Sequence, residues 1–219
     1  METGTASFSL LELFNMGGIT MWPLLAYSIF AVAITLERVI FLLYHDLKID
    51  SLSGKVSEFI TSNDYVGAAE FLSSNTKRNM GARVLLALVK RATPEQGKPF
   101  SEHLTERATE IEATNCINSL EKGFNFLVAL GSLSPLTGFL GTVTGMIGAF
   151  RSIAEATEVN AQIVAGGIYE ALITTVYGLI VAIAAMIFHS ILSHLVDKFA
   201  AEVEKICSDL IAEITEQQS

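Results

Sequence analysis

Two stretches of this chain, residues 17–36 and 124–150, contain no Asp, Glu, Lys or Arg, and a third, 163–195, contains only Glu170. At about 1.5 Å of rise per residue, each is long enough as a helix to cross a hydrocarbon core of about 30 Å. A run of this kind is constrained to be helical, because in lipid its backbone N–H and C=O groups must find their partners within the run itself. Composition agrees. Of the 219 residues, 51% are hydrophobic and 17% charged, and the mean hydropathy is +0.47, outside the usual range of water-soluble domains. The residues before the first run, METGTASFSLLELFNMG, hold Glu2 and Glu12 but no Lys or Arg. The basic segment of a secretory signal is missing there and no small-residue cleavage pattern follows, so the first span is expected to be retained.

The basic residues set an orientation. Ten of the 14 Lys and Arg fall within 44–123, Lys198 and Lys205 lie in the C-terminal tail, and the opposite side holds only Arg151. The positive-inside rule therefore puts the N-terminus outside and the long 44–123 segment and the tail in the cytoplasm. The expected organisation is an outer segment 1–16, a first span 17–43, a cytoplasmic helical domain 44–123, a second span 124–150, an outer loop 151–162, a third span 163–195 and a cytoplasmic amphipathic helix 196–219. In fold class this is an all-α polytopic membrane protein with three transmembrane helices, the second and third extending into the cytoplasm, and a helical cytoplasmic insert. The net charge of −9 argues against a nucleic-acid partner, which needs a concentrated basic surface. Cys116 and Cys207 both fall on the reducing side, so no structural disulfide is expected. No His/Cys spacing suggests zinc, and no metal or cofactor is expected.

The water-side segments read as helices. From Ser101, a candidate N-cap, SEHLTERATEIEATNCINSLEKGFNFL runs without Pro or Gly until Gly123, with Leu104, Ala108, Ile111, Ala113, Ile117, Leu120 and Phe124 at three- and four-residue intervals. This helix is expected to continue straight into the second span. In the tail, Val196, Phe199, Val203, Ile206, Leu210 and Ile214 form an apolar stripe below the third span. Between them lie shorter helical pieces, SGKVSEFITSN, DYVGAAEFLSSN and GARVLLALVKRA, closed by the loop ATPEQGKP. The chain has no GxxxxGK[ST], no HExxH, no GxSxG and no clustered Asp/His set, so it is not expected to be an enzyme.

Within the second span, Gly131, Ser134, Gly138, Gly141, Gly145 and Gly148 follow spacings of 3, 4, 3, 4 and 3. Small residues therefore line one face of a helix. The third span carries a related stripe, Ala171, Thr175, Gly178, Ala182 and Ala185. Small residues let helix backbones approach closely in lipid, so one reading of both stripes is a packing seam between spans or subunits. Thr137, Thr142 and Thr144, with Thr174 and Thr175, can each satisfy a hydroxyl on a carbonyl one turn back. Glu170 gives them another context: it is either a solvated residue at the outer interface or an inward-facing acid beside a polar pathway lined by hydroxyls. Glu37 and Arg38, at the inner end of the first span, read as an interfacial anchor or as a pair reaching a neighbouring stalk. His189 and His194 read as interface packing, with proton relay as the alternative.

In GGITMWPLLAYSIFAVAITLERVIFLL, SLEKGFNFLVALGSLSPLTGFLGTVTGMIGAF and IYEALITTVYGLIVAIAAM, and in their order and spacing, the chain resembles the MotA/TolQ/ExbB proton-channel family, most closely its three-span ExbB and TolQ members. The resemblance is specific in PLxGxxGTVxG and EALxxTxxGL and weak over residues 48–99. It implies a homo-oligomeric ring, a pentamer, in a bacterial inner membrane, with the N-terminus periplasmic and the C-terminus cytoplasmic. The ring surrounds two copies of a single-span ExbD/TolR-type partner whose membrane Asp carries the proton, and a TonB-type force transmitter passes the work to the envelope. The family's pore-facing threonines fall on Thr142 and Thr175, and its third-span glutamate on Glu170. The stripe residues Gly138, Gly141, Gly145, Gly178 and Ala182 are left to helix packing. No span contains an Asp, which fits a ring that supplies hydroxyls while a partner supplies the acid. The sequence departs from close relatives at Ala184, where they have a proline, and Tyr169 and Tyr177 are bulky for a small-residue seam. A MotA-like motility stator, with its usual four spans, is the runner-up, and a non-conducting membrane scaffold is the alternative of another class.

Overall fold

A computed structural model describes residue 14 and residues 16–93, 100–155 and 161–218, and they form seven helices. These are α1 (Met21–Tyr44), α2 (Asp50–Thr61), α3 (Tyr65–Asn75), α4 (Met80–Ala92), α5 (Glu102–Leu120), α6 (Phe124–Glu155) and α7 (Ala161–Gln218). The segment before residue 14, most of the ATPEQGKP loop and the centre of the expected outer loop lie outside the described residues. Three helices, α1, α6 and α7, are long and apolar enough to cross a membrane, and the protein is a multi-pass membrane protein. The chain divides into two compact units, the described part of Met1–Leu36 with Gly123–Ser190, and Glu37–Lys122 with Ile191–Ser219.

The first unit shows the reversal that lipid imposes. Its large apolar side chains point outward, among them Trp22, Phe30, Phe139, Ile147, Phe150, Leu172, Ile180 and Ile183. Its interior is built from smaller or polar residues as well as leucines: Ser134, Gly138, Gly141, Ala171, Thr174 and Ala185 are buried beside Leu24, Leu127 and Leu130. Pro135 lies inside α6. A proline has no N–H to give back to the preceding turn, and such a residue is tolerated in a spanning helix when neighbours re-satisfy the backbone.

The second unit is organised as a water-side domain. Leu52, Val56 and Ile60 of α2, Leu72 of α3, and Val84, Leu85, Leu88 and Val89 of α4 are buried, as are Phe199, Val203, Leu210 and Ile214 of the α7 tail. The tail stripe is therefore a core face, with Cys207 buried alongside it. Polar side chains set the helix starts. The Asp64 carboxylate accepts from the Gly67 N–H at 2.9 Å, and the Asn79 side chain accepts from the Ala82 N–H at 3.0 Å. Asn79 also donates to the Lys48 carbonyl at 2.9 Å, pinning the segment after α1 to the start of α4. Ser57 and Thr61 donate to the Glu213 carboxylate at 2.9 and 3.0 Å, which ties the α7 tail to α2.

One expectation is corrected. Ser101 does occupy the N-cap position of α5, but this helix does not run on into the second span. It ends at Leu120, and Gly123 takes φ +93°, a left-handed conformation that glycine adopts without a Cβ penalty, before α6 starts at Phe124. The third span behaves otherwise: α7 is unbroken for 58 residues, through Ala184 and into the tail.

Burial pushes the Cys116 thiol above its ordinary range, with the Glu112 carboxylate acting in the same direction and the Arg83 guanidinium against it. A raised thiol stays protonated, and so unreactive, until the pH climbs past that range. Cys116 and Cys207 are accordingly expected to react with a maleimide at pH 7.5 at least about tenfold more slowly in native membranes than after denaturation. Mass spectrometry of timed labelling checks this, and equal rates in the two states would contradict the burial of both thiols.

Candidate functional site

The site lies where α6 and α7 come closest. A Cβ at Gly138 would sit 2.8 Å from the Thr174 carbonyl oxygen and 3.1 Å from the Thr175 Cα, and one at Gly178 would sit 2.5 Å from the Ser134 carbonyl oxygen. No side chain fits at either position without parting the two backbones. Gly145 continues the seam, where a Cβ would meet the Ala171 Cβ at 3.2 Å and the Gly167 carbonyl at 3.3 Å. Ala182 is buried on the same stripe of α7. At Gly141 a third element joins: a Cβ there would strike the Thr174 hydroxyl and lie 2.8 Å from Thr20 Oγ1. The two ends of the glycine stripe differ. Gly131 faces the flexible side chain of Met186, and Gly148 has nothing within 4 Å.

Glycine at the crossing lets hydroxyls reach the opposite backbone. Thr175 donates to the Gly138 carbonyl at 3.2 Å. Thr174, fully buried, donates to the Ala171 carbonyl at 2.8 Å, with the Gly138 carbonyl at 3.3 Å. Thr142, one turn beyond Gly138, donates to its own helix at the Phe139 carbonyl, 2.6 Å away. Gly141 marks the edge of α6 that faces the first span, and at about 100° per residue Thr142 lies toward the other edge, the side to which Thr175 also belongs.

Glu170 is set apart from these two. It lies about 140° around α7 from Thr175, and its carboxylate rests against Gly18, so closely that a Cβ at Gly18 would overlap it. Tyr177 shares that side of α7, and its hydroxyl donates to Ser28 Oγ of α1 at 3.3 Å, a contact within the chain. The hydroxyl one turn below Glu170 is that of Thr174, which the sequence reading named among the threonines near the acid but did not place in the ion path. Its spacing of four from both Glu170 and Gly178 was the available signal.

At the other end of α1, Arg38 is only 5% exposed and paired with Glu37. It donates to the Ser119 carbonyl at 3.1 Å and lies over the Phe41 ring, 4.8 Å from its centre. Ser119 is in the last turn of α5, where carbonyls run out of helical donors and a cation is favoured by the helix dipole. His189 packs edge-on against Phe124 with ring centres 5.8 Å apart. Among the described residues no group of three or more His, Cys, Asp or Glu could hold a metal ion.

Spanning helices, a glycine seam crossed by threonine hydroxyls and one acid in an otherwise uncharged third span together define a polytopic membrane protein with a polar helix interface. The sequence model of the MotA/TolQ/ExbB proton channel family matches residues 76–205. The chain is 37% identical over 178 residues to "Putative biopolymer transport protein ExbB-like 3" of Synechocystis sp., with 80% of each chain covered. It is 25% identical over 147 residues to the biopolymer transport protein ExbB of Salmonella typhimurium, covering 66% of this chain and 60% of that one. To the Tol-Pal system protein TolQ of Haemophilus influenzae it is 42% identical over 89 residues, or 41% and 39% of the two chains. The chain belongs to the MotA/TolQ/ExbB proton channel family, which comprises transport proteins rather than enzymes. The matched range takes in residues 76–99, where the sequence offered only a helical insert.

Overpacking a tight contact costs about 1–3 kcal/mol. Gly178→Val is expected to lower the thermal midpoint of the purified protein in detergent by several degrees, while Gly148→Val leaves it unchanged. Thermal scans of both variants decide it; equal effects would mean that the seam is not the close contact described.

Proposed function

We propose that this chain is the ring-forming ExbB/TolQ-like subunit of an inner-membrane motor that couples the proton motive force to envelope work such as TonB-dependent uptake. In this reading five copies surround the membrane helices of two copies of an ExbD/TolR-type partner, and the N-terminus faces the periplasm and the C-terminus the cytoplasm. Protons move between the partner's membrane Asp and a path to which the chain contributes Thr142, Thr175 and Glu170. Their passage shifts one component against the other.

The observation that carries this reading is the α6–α7 seam, in which hydroxyls meet backbone carbonyls inside segments otherwise free of charge. Polar groups at such a depth are costly unless they serve packing or a pathway, and an intramembrane acid marks function by default. Threonines also serve packing seams, so it is the acid Glu170 in the same span that favours a pathway. The ExbB and TolQ names of the relatives, together with three spans and a modest insert, favour this branch of the family over the motility stators.

Proton flux into liposomes containing the chain and a co-expressed ExbD/TolR-type partner tests the reading. Thr142→Val and Thr175→Val keep the side-chain shape and remove the hydroxyl. Thr175→Val is a clean probe, because the Gly138 carbonyl keeps its helical donor, and interhelical hydrogen bonds of this type average only about 0.6 kcal/mol. Flux is expected to require the partner and to fall in both variants without loss of assembly. Unchanged flux in both would make these threonines packing residues and remove them from the path.

A further inference from the structure

The turn that precedes α1 holds a residue to which no role has been given. Gly18 takes φ +64°, in the left-handed region, and a Cβ built on it would overlap Glu170 Oε1 and lie 3.0 Å from Glu170 Cδ. The turn is fixed on both flanks. Gly17 donates its N–H to the Phe14 carbonyl at 3.2 Å, and the Met21 N–H returns to the Gly18 carbonyl at 3.3 Å. It also packs on α7 beside the glutamate, since a Cβ at Gly17 would lie 3.5 Å from Ile173 Cγ2. Further along, the Tyr177–Ser28 bond joins the same two helices again. The carboxylate is thus turned away from the Thr175 side of α7 and occupies a space that exists because residue 18 has no side chain.

We propose that Gly18 is a positioning residue for Glu170: the turn before the first span forms a seat that fixes where the only acid of the third span is held. This deepens the ion-pathway reading and rests on it for any effect on flux, whereas the seat itself is a property of the chain alone. On this view the first span takes part in the site, through a residue that never touches the ion. Both features of Gly18 matter separately. Alanine is disfavoured at positive φ and also intrudes on the carboxylate, whereas asparagine accepts the left-handed conformation yet intrudes further.

The experiment reads Glu170 directly. The chain is prepared with 13C-labelled glutamate in liposomes, and the side-chain carboxyl signal that vanishes in Glu170→Gln is assigned to Glu170. Gly18→Ala and Gly18→Asn are both expected to move this signal, asparagine at least as much as alanine. With the partner present, both are expected to lower proton flux by up to about a hundredfold, the scale of a group misplaced by about an ångström. Glu170→Asp, one methylene shorter, is expected to restore much of the flux of the Gly18→Ala chain. A signal that stays in place in both Gly18 variants overturns the seat, as does one that moves with alanine but not with asparagine, because backbone strain would then be the cause. If the signal moves while flux is unaffected in the Gly18 variants and in Glu170→Gln alike, the seat stands and the ion-pathway reading fails.

Discussion

Direct backbone contact between α6 and α7, at Gly138 and Gly178, is the constraint on which the spanning unit depends. Lipid chains are as apolar as leucine, so burial gives these helices no reason to associate, and attraction must come from dispersion at short range and from polar groups. Removing the side chain at both positions brings a carbonyl of each helix up to the backbone of the other. The same shortening lets Thr174 and Thr175 reach across. With a larger residue at 138, the hydroxyls would be left to their own helix, as that of Thr142 is.

The water-side unit is held by different means. Apolar faces of α2, α3, α4 and the α7 tail exclude water, and the remaining polar groups are bonded one by one: Asp64 and Asn79 at helix starts, Glu213 between Ser57 and Thr61, Arg38 at the end of α5. A buried guanidinium is costly unless its hydrogen bonds are met. Arg38 meets that demand with a carboxylate, a carbonyl and an aromatic face, all within its own unit.

Much of this was legible beforehand because the relevant patterns are periodic. The runs at 17–36, 124–150 and 163–195 announced the spans, the three short pieces of the insert correspond to α2, α3 and α4, and the tail stripe is a core face. The break at Gly123 was not legible, since one glycine between two helical patterns is compatible with continuation, and only its positive φ ends the helix. The glycine stripe did not coincide with the seam throughout: Gly148 obeys the spacing but has nothing within 4 Å, and at that level it is Ala149 that packs against Gly167 of α7. At the candidate site, residue type pointed to five threonines and the one acid, and the family resemblance to Thr142, Thr175 and Glu170 among them. The angular separation of Glu170 from Thr175 and the position of Thr174 one turn away follow from helix periodicity, whereas the contact with Gly18 depends on the turn before α1, whose register against α7 the sequence does not encode locally.

The two central helices differ in a mechanical sense. In water-soluble hosts a glycine weakens a helix by about 1 kcal/mol and a proline by about 3 kcal/mol relative to alanine, and α6 carries Pro135 and glycines at 131, 138, 141, 145 and 148 within 32 residues. Over 58 residues α7 has glycines only at 166, 167 and 178, and no proline. Residues that weaken a helix are thus concentrated in α6 and sparse in α7. A load on the spanning unit would therefore bend α6 before it bends the part of α7 packed against it.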